Sequence, residues 1–481
     1  MGAGSESCGN RIMRSLRRMR RENHLRRVLA APSARHGQSL IRSRAIAARF
    51  AFGLLLGILL GFLLPSTLTT RAADSDKAIS ETAVDRTEAH PGAGADTGTE
   101  DVQGLQISFR ELDAIGELAR LGAQPHQGNV DELLLIAERG WTHGKVGSRF
   151  EGRISGDDTY AKRCAQVSRL DEELVLPDVG QTLYALVLAH VLTRDESFAQ
   201  EARSVLLDFT DSSGFDTVEG EKRYDGSNQC ALDVSLLVPS LIDSALLLEA
   251  YPGWSVADKR DLQSWLGKEI YPLTAAIART RKNNWGTAAA FASWSIGHYL
   301  SDSVMTLEEV MPLPRSLTPA QAMQAHLQSQ LRIIGGDWRG DSACDVFGIQ
   351  SHGGIPNELR RGSTGCKGTY LLDSDRAYAY QITTTSHLIY HAEALSRRGN
   401  NLLYTLPAED GEPLLLKAIT FVIANPKGKS HDWSATDLGV LRVANAFYDD
   451  PRLCAEIDKG HRFAEGRYLS FARLTRPLPC H

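Results

Sequence analysis

The sequence contains no Cys-x-x-Cys pair in its 481 residues, and its first 49 residues contain no lysine and only two acids, Glu6 and Glu22. The first absence removes the commonest zinc and dithiol signatures. Alternation of apolar and polar residues is scarce, which excludes a mainly β fold. No internal repeat is legible, so nothing in the sequence alone separates a ring of helix pairs from a solenoid or a bundle. The apolar run Phe50–Leu64 stops at Pro65 after fifteen residues, short of the roughly 20 that a membrane-spanning helix usually needs.

What stands in place of the missing acids is arginine, twelve of them in residues 1–49. A basic segment, a fifteen-residue apolar run and the small pair Ala72-Ala73 together predict a signal peptide over residues 1–73. An uncleaved membrane anchor at residues 50–64 is the alternative, and translation from Met13 or Met19 would shorten the basic region to a more usual length. Residues 74–104 follow as a linker. Up to residue 101 it holds eight acids, two bases and no Phe, Trp or Tyr, too little apolar surface to fold. The folded domain is expected over residues 105–481, in a periplasmic or secreted protein.

Beyond residue 73 the chain carries 40 basic and 56 acidic side chains, a formal charge of −16. Nucleic acid is therefore excluded as a partner, and a polyanionic ligand must meet a local basic patch that overrides the global field. Six cysteines remain there, Cys164, Cys230, Cys344, Cys366, Cys454 and Cys480, an even number that predicts disulfides in an exported chain.

With 42% hydrophobic residues the chain has ample material for a large core. Helical periodicity predicts helices at 181–194, 197–209, 232–251, 257–279, 287–300, 319–333 and 376–397. The fold class is all-α, and antiparallel helix pairs of similar length fit an α/α toroid.

Two segments carry chemistry. Arg279-Thr280-Arg281-Lys282-Asn283-Asn284-Trp285-Gly286-Thr287 sets cations ahead of two amides between helical stretches. Such an asparagine pair serves either as a helix cap or as a donor to a carboxylate or sugar hydroxyl. Ile355-Pro356-Asn357-Glu358-Leu359-Arg360-Arg361-Gly362 is followed by Arg376-Ala377-Tyr378-Ala379-Tyr380. This pattern resembles the mannuronate-specific alginate lyases, with their Pro-x-Glu-Leu-x-Arg-Gly and Arg-Ala-x-x-Tyr motifs, and Asn283-Asn284 is similar to their Asn-Asn-His. The resemblance spans about residues 180–395 and implies an α/α toroid without cofactor or metal. It implies Asn284, Arg361 and Tyr380 as catalytic residues. Trp285 stands where the family has histidine, and an insertion containing Cys366 separates Arg361 from Arg376. The identity of the base is thereby open, with His352 a nearby imidazole.

These residue types suit β-elimination from a uronate. Removing the C5 proton builds charge on the carboxylate, which Asn284 and Arg361 would stabilise. Tyr380 would protonate the leaving oxygen and could act as base if a cation such as Arg376 stabilised its phenolate. Asn283, Trp285, His352, Arg360 and Arg376 complete the expected substrate contacts.

Other features read differently. His387 and His391 have the i, i+4 spacing of metal ligands, but the intervening Leu388-Ile389-Tyr390 lacks a zinc-protease glutamate, and an inward helix face explains them. Gly340-Asp341-Ser342 has no triad partners. Asp337, Asp341 and Asp345 would suit a glycoside hydrolase, and a non-catalytic polysaccharide-binding or export protein is a third reading.

Overall fold

A computed structural model describes residues 104–142, 145–146, 176–211, 229–301, 317–336, 347–360, 375–425, 435–458 and 471–476. The apolar run at 50–64, the Ala72-Ala73 pair and linker residues 74–103 lie outside these. So do Arg361, Asp337, Asp341, Asp345, Cys344 and Cys366. Of the six cysteines, only Cys454 has a described side chain.

The fold is all-α. Helices α1 (Phe109–Arg120) and α2 (His126–Arg139) are followed by a short antiparallel pairing of β1 (Trp141–Thr142) with β2 (Lys145–Val146). Then come α3 (Leu176–Thr193), α4 (Glu196–Asp211), α5 (Gln229–Leu248), α6 (Val256–Trp265), α7 (Tyr271–Thr280), α8 (Asn284–Ser301) and α9 (Pro319–Gly335). The one-turn α10 (Pro356–Leu359) precedes α11 (Asp375–Ser396), α12 (Leu402–Thr405), α13 (Leu414–Ala424), α14 (Ala435–Tyr448), α15 (Pro451–Ile457) and α16 (Ala472–Thr475).

Local chemistry sets the helix ends. Ser108 with Glu111, Ser255 with Asp258 and Thr318 with Gln321 form reciprocal capping boxes at α1, α6 and α9. Gly336 ends α9 with φ +76, a conformation open to glycine. The helix expected at 257–279 is interrupted by a π turn at Leu266–Ile270, which joins α6 to α7 just ahead of Pro272.

The helices pack as a closed series. In succession α3, α5, α8, α11 and α14 pack side by side, and α16 connects α14 back to α1 and α2, which lie against α3. On this inner series rest α4, α7, α9 and α13. This is the arrangement expected of an α/α toroid. The inner helices α3, α5 and α8 are largely apolar or small all round, as burial on every side demands, whereas α11 buries a polar face. Of the 18 residues of α8, 15 are buried, and its run of Gly, Ala and Ser lets four helices approach. A Cβ at Gly297 would meet Met323 Cγ at 3.0 Å, so α9 packs closely there. The stretch Ala231–Leu248 of α5 is apolar and long enough to cross a membrane, but 89% of it is buried in the core.

Polar contacts join the first and last described segments. Arg476 Nη2 donates to Gln106 O at 2.8 Å and to Glu393 Oε1 at 2.6 Å, while Asn129 Nδ2 donates to Arg473 O at 2.8 Å. Arg397 pairs with Glu111, and Leu105 N donates to the buried Asp243 Oδ1 at 2.5 Å. Gly104 is already held here, by Arg398 Nη2 on its carbonyl at 3.3 Å.

Candidate active site

Segments 281–285 and 355–360, far apart in sequence, meet. Asn357 Nδ2 donates to Lys282 O at 2.9 Å, and Asn284 N donates to Glu358 Oε1 at 2.5 Å. Pro356 opens α10, so the chain turns sharply there and sets Asn357 and Glu358 against the start of α8. Arg360 Nη2 donates to Asn357 Oδ1 at 3.0 Å, which fixes this cation beside the same junction.

Asn284 is the first residue of α8 and is 5% exposed. Its backbone is tied at both ends, because its carbonyl accepts from Thr287 Oγ1 at 3.1 Å. With the hydroxyl proton so used, Thr287 Oγ1 accepts from His387 Nδ1 at 3.0 Å. Asn283 Oδ1 accepts from Trp285 N at 3.1 Å, so this amide oxygen serves as the helix cap. Gly286 is required by space. A Cβ there would lie 2.1 Å from Arg281 O.

Cations rim the junction. Arg281 stacks over the half-buried Trp285 ring at 5.3 Å, and Lys282 Nζ sits 4.7 Å from the Phe347 ring centroid. Arg279 is exposed at the end of α7.

Tyr380 lies half-buried in the second turn of α11. One turn further, Thr384 Oγ1 donates to Glu358 Oε1 at 2.9 Å, so the helix carrying Tyr380 is tied to the same carboxylate as Asn284. Arg376 lies in the first turn of α11, with its side chain outside the described residues. Gln381, next to Tyr380, accepts from Ile355 N at 2.8 Å and donates to Gly353 O at 3.1 Å. It thereby buttresses the turn that bears His352. His352 is exposed, with its ring edge-on to Phe421 at 5.3 Å. Lys417 supports the turn from below, donating to Ser351 O at 2.9 Å; its hydrogen bond to Asp410 raises its pKa and keeps it charged. Gly353, at φ +94, has Lys417 O where a Cβ would sit.

The i, i+4 histidines face inward. His387 and His391 are buried, and burial pushes both down to about 3. His391 Nδ1 pairs with Gln330 Nε2 at 3.2 Å, and its ring stacks on Phe291 at 5.2 Å. Both are neutral core groups at neutral pH. Among the described residues no group of three His, Cys, Asp or Glu side chains could hold a metal.

Glu358, Thr384, Thr287, Asn357 and Gln381 are the contributors that sequence patterns did not single out. The run Thr383-Thr384-Thr385-Ser386 was a signal, because hydroxyl residues inside a helix need partners. Thr385 and Ser386 turn back to the carbonyls of Gln381 and Ile382, whereas Thr384 reaches Glu358.

Fold and site define an all-α protein with a polar, cation-rimmed junction where α8, α10 and α11 meet. No family model and no curated protein matches the sequence. Among solved structures, the chain is similar to an alginate lyase from Bacteroides ovatus, at 16% identity and a TM-score of 0.49, covering 78% of this chain and 99% of that one. It is also similar to alginate lyase A1-III from Sphingomonas species A1, at 14% identity and a TM-score of 0.46, covering 74% and 93%.

Proposed function

We propose that the protein is a polysaccharide lyase that cleaves an acidic uronic-acid polymer by β-elimination, with mannuronate-rich alginate the first candidate substrate and glucuronan the second. The observation that carries this reading is the docking of α10 on the first turn of α8, through Glu358 on Asn284 N and Asn357 on Lys282 O. It gathers an asparagine, a set of arginines and, through Thr384, the helix bearing Tyr380 around one junction. The rim of Arg279, Arg281, Lys282 and Arg360 supports a polyanionic ligand on a chain that is acidic as a whole.

In this reading Asn284 and Arg361 bind the uronate carboxylate and stabilise the charge that develops on it as the C5 proton leaves. The C4–O bond breaks, a C4=C5 double bond forms, and Tyr380 protonates the departing oxygen. Arg376 stands four residues before Tyr380 on one helix face, suited to stabilising a phenolate if Tyr380 is also the base. Asn283, Trp285, His352 and Arg360 contact neighbouring sugars. We place the enzyme in the periplasm or outside the cell, with anchoring through residues 50–64 as the alternative.

The test is digestion of alginate, polymannuronate, polyguluronate, glucuronan and a glycosaminoglycan, followed by ultraviolet absorbance of the unsaturated ends. Products lacking the new double bond would point to hydrolysis instead, and binding without cleavage to a polysaccharide-binding protein.

A further inference from the structure

We propose that Glu358 is a positioning residue of this site, a buried carboxylate that sets the proposed amide and phenol in register. The assignment rests on the lyase reading above. Glu358 is 0% exposed, and its Oε1 accepts two hydrogen bonds, from Asn284 N at 2.5 Å and from Thr384 Oγ1 at 2.9 Å. Each donor leads to a different proposed catalytic group. Asn284 is itself the proposed carboxylate ligand. Thr384 lies one turn after Tyr380 on the same face of α11, so the bond to Thr384 fixes the rotation and height of the helix that presents the phenol.

Glu358 also holds the one-turn α10, whose last turn is closed by Arg360, the residue before Arg361 in the sequence. Asn357 latches the turn to Lys282 O and Gln381 holds Ile355 N at its start, while Glu358 adds one attachment to α8 and one to α11. Any tilt of α10 therefore carries Arg360 with it.

A carboxylate suits this role better than a neutral group. Asn284 N is one of the first-turn amides of α8, where the helix dipole concentrates positive charge, and a charged acceptor there makes a shorter and stronger bond. With an acceptor of its own inside the fold, the start of α8 does not recruit the substrate's anion to its backbone. The substrate carboxylate is left to side-chain donors, whose spacing Glu358 governs.

The experiment uses the full chain and the polymer that gives the highest wild-type rate of ultraviolet-absorbing product. Thr384→Val severs the link to α11 with nearly the same volume, and Thr384→Ser restores the hydroxyl. We expect Thr384→Val to lower kcat on the order of tenfold with KM and helicity close to wild type, since small misplacements of reacting groups act on turnover. Thr384→Ser should recover most of the loss. Glu358→Gln, where it folds, should lower kcat further, on the order of 100-fold. A merely structural role would lower the melting temperature of Thr384→Val and leave kcat unchanged, and that result overturns the assignment whatever Glu358→Gln does. A folded wild type that yields no unsaturated product from any uronate polymer sinks the lyase reading, and this assignment with it.

Discussion

Gly286 rests directly on the carbonyl of Arg281, with 2.1 Å between that oxygen and the point where any Cβ would stand. The chain turns back on itself at this contact to start α8, so the contact sets where Asn284 begins the helix. Gly286→Ala must push the turn away. Overpacking of this kind costs about 1–3 kcal/mol, and a rigid backbone oxygen places it at the upper end. Activity should fall more than stability does. A Gly286→Ala variant with wild-type melting temperature and turnover would show that the turn has slack.

Tyr380→Phe removes one hydroxyl from the proposed acid and should abolish turnover while polymer binding and helicity persist. Asn284→Ala and Arg361→Ala should lose transition-state stabilisation, and Arg361→Ala should also raise KM because it would pair with the substrate before reaction. Chelator should leave all rates unchanged. Initial rates of ultraviolet-absorbing product, with circular dichroism as the folding control, provide the measurement. A folded Tyr380→Phe enzyme working near the normal rate would shift attention to Tyr378 or His352.

Charge reversal at Arg281 and Arg360, one from each docked segment, should weaken polymer binding at low salt, and the difference from wild type should shrink as salt shortens the Debye length to about 10 Å at 0.1 M. Binding isotherms at several salt concentrations decide this. Unchanged affinity in the double variant would mean that the polymer runs elsewhere.

Asp243 links stability to pH. Burial pushes its carboxyl up from 3.8 to about 6, against the opposing influence of Leu105 N–H, Tyr184, Arg398 and Arg397. A raised carboxyl pKa means that the folded state holds this proton more tightly than the unfolded chain. Its contribution is therefore full below about pH 3.8 and is lost as pH rises through about 6. Two pKa units correspond to about 3 kcal/mol. Asp243→Asn, whose side-chain oxygen can still accept from Leu105, should show a flatter stability profile between pH 4 and 7. Urea midpoints measured across that range would overturn the idea if the two profiles ran parallel.

The helices are legible where apolar periodicity runs over several turns. Predicted spans such as 319–333 and 376–397 lie within one residue at their starts and two at their ends of the observed α9 and α11. The π turn at Leu266–Ile270 was not legible, since the apolar pattern continues through it. The pairing of segments 281–285 and 355–360 could be expected from their chemistry, but the residue that joins them could not. Glu358 reads as one motif letter among several, and its burial depends on α8 and α11 closing over it. The inward face of His387 and His391 was legible from the residues between them. The capping role of Asn283 was one of two readings that sequence left open, because cap and ligand use the same amide.

The series of helices is closed by side chains and not by the covalent chain. Arg476 is what grips Gln106 and Glu393. One guanidinium from the last described segment thus fastens the first described segment to α11. Removing it would act on the whole seam of the ring, although it takes almost nothing from the core.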